Sequence, residues 1–449
     1  MSHGFVPDAA VADESEEDRR RIPRVPQTVA DTGLSEEFII DLLLKTMYVQ
    51  GARTGLELVE SLRLPFPFLD EQLLTLQHRR MVEVRGTHGP SRTGYVFDLT
   101  GAGRDRGREA MEANQYVGPA PVPLAQYRHW IDAQSIRHAK VTRAELERAF
   151  SWLVLNEDTL DQIGPAINSA RSLFLYGESG NGKTAAAETI ASLLGGDIYV
   201  PHAIEIDGQI IVLYDPVYHR RVPDPPPAEG IAGEIFTAGV PYDRRWVHAH
   251  RPVVLTGGEL MLEQLDLQYD VFTKMYQAPF QVKANGGVLI IDDFGRQRVP
   301  PRDLLNRWIV PLEKRMDFLT LHTGAKFPIP FDSLVIFSTN IDPKGLVEEA
   351  FLRRIHYKIK IESPSPDQYA LIFRRYCEEA GLDYSLPAVQ QVYAEFYERY
   401  LIAPRGCHPR DLVEHLLDIA KYLEVPPTLS QDLVRRAGRS YFLDFPTSV

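Results

Sequence analysis

Residues 172–194 read SLFLYGESGNGKTAAAETIASLL, which is an apolar run, a glycine-rich turn and an alanine-rich helical pattern in immediate succession. The turn, Gly177-Glu178-Ser179-Gly180-Asn181-Gly182-Lys183-Thr184, satisfies GxxxxGK[ST] in the strand-to-helix context that this motif requires. Glycines there let backbone N–H groups turn inward around the β- and γ-phosphates of ATP. Lys183 adds a point charge, and the Thr184 hydroxyl is a ligand for Mg2+. The bland alternative is a glycine-rich turn with no ligand. The expected second half of such a site lies downstream in GGVLIIDDFG, residues 286–295. Four apolar residues predict a buried strand, and the two acids after it fall at the end that abuts the metal. Asp292 is expected to hold Mg2+ through water. Asp293, next along a strand whose side chains alternate, is expected to orient the attacking water. A solvated turn carrying two acids is the competing reading.

At 449 residues the chain exceeds one ordinary core, so two or three domains are expected. Asp plus Glu number 61 against 49 Lys plus Arg, and the net charge of −12 argues against the whole chain coating nucleic acid. The two cysteines, Cys377 and Cys407, give neither a disulfide framework nor metal-ligand spacing and fit a reducing compartment. The N-terminus has no apolar signal-like run, and no stretch approaches 18 apolar residues. The expected location is the cytoplasm, without membrane insertion.

Residues 1–33 are poor in large apolar groups and are expected to form a disordered acidic tail. Helical spacing follows in LSEEFIIDLLLKTMYV (34–49), TGLELVESLR (54–63) and FLDEQLLTLQHRR (68–80). MVEVRG and TGYVFDLT then alternate like paired strands, and a last helix is expected near 104–114. Three helices and a hairpin over residues 34–117 resemble a winged-helix module. Residues 118–139 begin GPAPVPLAQY and read as a proline-rich linker with a connecting helix. An α/β core is expected over 140–364, interrupted by a hairpin region at about 200–250 in which Asp207-Gly208 marks the turn. VPDPPPAEG (222–230) is too rich in proline for regular structure. Residues 365–449 turn wholly helical.

At this point the chain resembles the AAA+ P-loop ATPases over roughly residues 140–440. The resemblance implies a parallel-sheet core with a C-terminal helical lid, ATP and Mg2+ as cofactors, and assembly into a ring, often a hexamer. VIFSTN (335–340) is similar to the family's sensor 1 strand, which gives Asn340 a role in holding water near the γ-phosphate. EEAFLRRIHYKI (348–359) is similar to the segment carrying the arginine finger, so Arg353 or Arg354 would reach a neighbouring subunit's ATP. HPRDLVEHLL (408–417) puts Pro409 in a first helical turn, and Arg410 matches the lid arginine called sensor 2. The layout, with DFLTLHTGAKFPIPF (317–331) as a hairpin before sensor 1, resembles the branch of MoxR-type chaperones and enhancer-binding activators. Asp-Asp-Phe-Gly instead resembles the Asp-Asp-Leu-Gly of helicase loaders and transposition helpers. The longer layout weighs more. The family usually has glutamate where this chain has Asp293.

The role implied is remodelling or regulation of a partner protein. Two alternatives stay open: a DNA-binding ATPase using the N-terminal module, and a nucleotide-gated switch with slow turnover. Residues 35–115 carry 10 basic against 12 acidic side chains, yet Arg79 to Arg108 holds seven arginines against three acids, so DNA contact there competes with protein docking. His248 and His250 lack a third metal ligand at a telling spacing. Tyr214, Tyr218 and Trp246 read either as pore aromatics or as the insert's own small core.

Overall fold

The computed structural model describes residues 22–224, 242–346, 352–399 and 401–442. Most of the expected tail, part of the proline-rich VPDPPPAEG stretch and the start of EEAFLRR lie outside the described residues. Residues 22–33 correct the tail's expected boundary. Thr28 caps the short helix Val29–Thr32 with a capping box, and Asp243 N–H donates to the Pro23 carbonyl at 2.8 Å, so partners distant in sequence supply the order that composition lacks.

Next comes an N-terminal module of helices Glu36–Gln50, Gly55–Leu62 and Phe66–His78, the hairpin Val82–Thr87 with Tyr95–Leu99, and helix Gly101–Ala113. A two-residue strand, Arg53–Thr54, joins the hairpin to make three antiparallel strands. Leucines at helical spacing, such as Leu58, Leu62, Leu69, Leu73 and Leu76, meet Phe97 and Leu99 in one core.

The central sheet is all parallel, and its five strands are here numbered in chain order: β1 Leu173–Tyr176, β2 Val253–Thr256, β3 Val288–Ile291, β4 Leu334–Thr339 and β5 Tyr357–Lys360. Their spatial order is β2-β3-β4-β1-β5. The inner strands are continuously apolar because both faces are covered, whereas the edge strands β2 and β5 alternate with exposed residues. Leu173, Leu175, Val288, Ile290 and Ile336 pack on one face with helix Lys183–Leu193. Phe174, Leu289, Ile291 and Phe337 pack on the other with helix Pro301–Lys314 through Trp308. The fold is α/β.

Two strands of the inserted region, Ala203–Ile206 and Gln209–Val212, join Gln268–Asp270, Met275–Gln277 and Val122–Pro123, the strand before the connecting helix, in a second five-stranded sheet. Its turn is at Asp207 (φ 50°) and Gly208 (φ 78°), the doubly positive pair that a two-residue hairpin needs, and it pairs Ala203–Ile206 with Gln209–Val212. The connection at 118–139 is no loose spacer. Val122–Pro123 pairs with this sheet, and helix Leu124–Ala133 buries Tyr127 and Ile131 in its core. Trp246 is buried there too, so its role is packing. The hairpin expected before sensor 1 forms between Met316–Thr320 and Lys326–Pro330.

One buried charge ties these parts together. Arg245, 1% exposed, makes a bidentate pair with Asp243 and donates to the Thr32 carbonyl at 2.9 Å, the Pro121 carbonyl at 3.4 Å and Gln126 Oε1 at 3.3 Å. The C-terminal lid consists of helices Pro366–Glu379, Leu386–Val392, His408–Tyr422 and Gln431–Tyr441 with a π-helical turn at Tyr393–Glu398, around its own core. No described helix is long and apolar enough to cross a membrane.

Removing Asp243 would strand a guanidinium away from water. Asp243→Ala is expected to cost about 3–5 kcal/mol of unfolding free energy, measured by urea denaturation, against a small fraction of that for Asp161→Ala, which ends an exposed surface ion pair with Arg143.

Candidate functional site

The turn after β1 is left-handed at its glycines, with φ 145° at Gly177, 84° at Gly180 and 83° at Gly182. Space adds a second constraint. A Cβ on Gly177 would lie 2.2 Å from the Ile361 carbonyl oxygen, and one on Gly180 would lie 2.5 Å from Cys407 Sγ. Gly182 leads directly into helix Lys183–Leu193, whose N-terminal amides and dipole favour an anion.

Lys183 and Asp292, far apart in sequence, meet at this turn. Thr184 Oγ1 donates to Asp292 Oδ2 at 2.8 Å, because β4 alone separates β3 from β1 and both loops leave the same end of the sheet. Lys183 Nζ donates to the Glu178 carbonyl at 3.0 Å. Burial pushes the Lys183 ammonium below its ordinary pKa, against the pull of Asp292, Asp293 and Glu178. Hydroxyl and carboxylate oxygens at Thr184 and Asp292 suit a hard cation such as Mg2+, which prefers oxygen ligands and retains water. Among the described residues there is no cluster of three or more His, Cys, Asp or Glu that could hold a metal by itself.

These groups line one side of a cleft of about 1050 Å3. Ser179 to Thr184, Asp292 and Asp293 are at its polar end. Leu153, Val154 and Leu155, together with Ile372 and Tyr376 of the lid, form apolar walls. Sequence reasoning missed those walls, since no motif marks them and they approach only through the fold.

Asp293 differs from the strand geometry expected of it. β3 ends at Ile291, and Asp293 sits in a turn at φ 48°, exposed and facing the cleft. Its N–H donates to Asp292 Oδ1 at 3.0 Å. Aspartate is among the few residues enriched in this left-handed region, which gives a backbone reason for the shorter acid. Gly295 follows at φ 103°, where a Cβ would lie 2.6 Å from Leu346.

The other expected residues are distributed unevenly. Asn340 is half-buried just past the end of β4 and does not line the cleft. Arg353 and Arg354 lie away from it, Arg353 exposed and Arg354 paired with Glu313 at 2.6 Å. Arg410 lines the cleft beside Pro409 in the first turn of its helix, with its guanidinium on Asp411 at 2.9 Å.

The lid touches the glycine-rich turn directly. Cys407 N–H donates to the Gly180 carbonyl at 2.8 Å, and Gly406 N–H donates to Asn181 Oδ1 at 3.1 Å. Behind that contact His408 Nδ1 accepts from Arg405 N–H at 3.3 Å and is 3.0 Å from the Tyr397 hydroxyl. Burial, then the charge of Arg405, push the His408 pKa down to about 4.

A family described as a domain of unknown function, DUF8689, matches residues 365–440, which is the lid. No curated protein matches the chain. Among solved structures, the chain is similar to NtrX from Brucella abortus at 14% identity and a TM-score of 0.39, over 72% of this chain and 62% of NtrX, so it spans less than two thirds of that protein. It is similar to the Thermotoga maritima RuvB Holliday junction branch migration motor at 13% identity and a TM-score of 0.36, over 65% of this chain and 71% of RuvB. For a complex of subunits BchI and BchD of magnesium chelatase the values are 18% and 0.33, over 65% and 93%.

A histidine whose folded pKa lies below its unfolded value of about 6.5 leaves stability complete above pH 6.5 and draws it down as pH falls toward 4. His408→Gln is expected to reduce that loss by on the order of 2–3 kcal/mol, read as a flatter unfolding midpoint between pH 6.5 and 4 than in the parent.

Proposed function

We propose that the chain is an AAA+ ATPase that binds Mg-ATP between the glycine-rich turn and the lid, hydrolyses it in a ring of its own copies in the cytoplasm, and remodels or regulates a partner protein. The observation that carries this reading is the Thr184–Asp292 hydrogen bond beside Lys183, at the floor of a cleft with apolar walls. Backbone N–H groups of the turn and Lys183 would hold the phosphates, and Thr184, with Asp292 through water, would hold Mg2+. When bound, the metal neutralises charge on the phosphate oxygens. Asp293, exposed at the cleft, orients water and takes its proton. Apolar residues from the core and the lid enclose the base.

Arg410 lines the cleft between Asp411 and Glu414, so a contact with phosphate would draw it from these carboxylates and couple lid position to the nucleotide. Arg353 and Arg354 both stay candidates for the finger that reaches a neighbouring copy, Arg353 being the more exposed and Arg354 being paired with Glu313. Ring assembly would then complete the site.

The N-terminal module fits protein docking better than DNA binding. Of the seven arginines from Arg79 to Arg108, five pair with carboxylates of the chain itself: Arg85 and Arg104 with Asp98, Arg92 with Asp70, Arg106 with Asp41, Arg108 with Asp105. A DNA backbone, which touches many arginines together, would have to displace several of these pairs at once.

Lys183→Ala is expected to weaken binding of a fluorescent ATP analogue at least about tenfold. Asp293→Asn should bind within about twofold of the parent and lose on the order of a hundredfold or more in phosphate release, the range for general-base loss. Parent-like turnover by Asp293→Asn would remove Asp293 from the chemistry. For Arg353→Ala, intact binding with turnover down by about a thousandfold is expected. Unchanged turnover in an Arg353/Arg354 double variant would end the finger assignment.

A further inference from the structure

The seam between the N-terminal module and the inserted region holds a separate small cavity of about 60 Å3. Arg63 lines it from the module, and Arg221 and Arg244 line it from the inserted region. Tyr214, Tyr242 and Trp246, with the imidazole of His202, make the remaining wall mostly aromatic.

Charge in this wall is unequal. Glu60 accepts Arg63 Nη1 at 2.7 Å and both terminal nitrogens of Arg244 at 2.6 and 2.9 Å, so one carboxylate serves two guanidiniums. Asp224 serves Arg221 and also accepts the Tyr242 hydroxyl at 2.6 Å. Among the described residues, three guanidiniums meet two carboxylates there, an excess of one positive charge beside an aromatic wall, with Arg221 half exposed at the rim. The same field acts on His202. Burial first, and the Arg221 charge second, push its pKa down to about 4, so the ring stays neutral and adds no opposing charge near neutral pH. Arg63 also occupies the C-cap of helix Gly55–Leu62 at φ 58°, where glycine is the unstrained choice; a side chain is kept there at a steric cost.

We propose that this cavity binds one small tetrahedral oxyanion of the phosphate or sulfate type, which bridges the N-terminal module to the inserted region. Space for a few waters is space for one such ion and too little for a nucleotide. Forked N–H donors of arginine match its oxygens, and an anion shared across the seam supplies the charge that Glu60 and Asp224 leave unbalanced. The site is independent of ATP hydrolysis and rests on none of that chemistry.

The test uses the full chain carrying Lys183→Ala, which suppresses phosphate uptake at the glycine-rich turn. Titration with inorganic phosphate, and separately with sulfate, is followed by calorimetry at fixed ionic strength. One site per chain is expected, with a dissociation constant of about 1 mM or tighter. Arg221→Gln, at a half-exposed position, and Arg63→Gln are each expected to weaken it at least about fivefold, with far-ultraviolet circular dichroism unchanged. The proposal is overturned if the Lys183→Ala chain shows no saturable uptake, or if Arg221→Gln binds the ions as tightly as its parent.

Discussion

A single guanidinium buried beyond the reach of water constrains how the pieces of this chain are arranged. Arg245 can remain charged only if every donor finds an acceptor, and its acceptors come from the N-terminal segment, the connecting strand region and its own turn. Meeting that demand fixes residues 22–33 and the start of the connection in one place. The N-terminal module is thereby mounted on the inserted sheet and is not swung from a flexible tether. Further along the same seam, Arg244 reaches back to Glu60, so the two neighbouring arginines work in opposite ways, one sealed and one facing a cavity.

The core was legible because its signals are local. VLII and LFLY have the continuous apolar character of strands covered on both faces, and GESGNGKT marks its turn by glycines at positive φ. Asp207-Gly208 likewise specifies its hairpin through two positive φ values. The expected disorder through residue 33 and the loose reading of the linker failed for a common reason. Both stretches gain order from parts of the chain distant in sequence: Thr32 and Pro121 accept from Arg245, and Val122, Tyr127 and Ile131 pack against strands that come much later in the chain. The cleft's apolar walls were missed on the same ground, since Leu153 and Leu155 lie in a loop and Tyr376 in a lid helix more than two hundred positions away, and they share no pattern.

The aspartate in place of glutamate becomes intelligible only at the level of the backbone. Strand alternation does not extend to Asp293, because the chain has already turned into a left-handed conformation that favours a short polar residue. Its shorter reach and its altered backbone direction are therefore two aspects of one local solution. Gly295, two residues on, has the same dependence on a conformation that most side chains resist. Catalytic reach in such a loop is set by main-chain geometry as much as by side-chain length.

The contact between Cys407 and Gly180 supplies the chain with a reporter of its own. Sulfur covers the glycine-rich turn when the lid is down, and the chain's other thiol, Cys377, is buried in the lid core. Burial also raises the Cys407 pKa, so in this closed arrangement the group is a poor nucleophile. Cys407 is half-buried and lines the cleft, so its alkylation rate is set by how closely lid and turn approach and becomes a readout of that approach on the unlabelled wild-type protein.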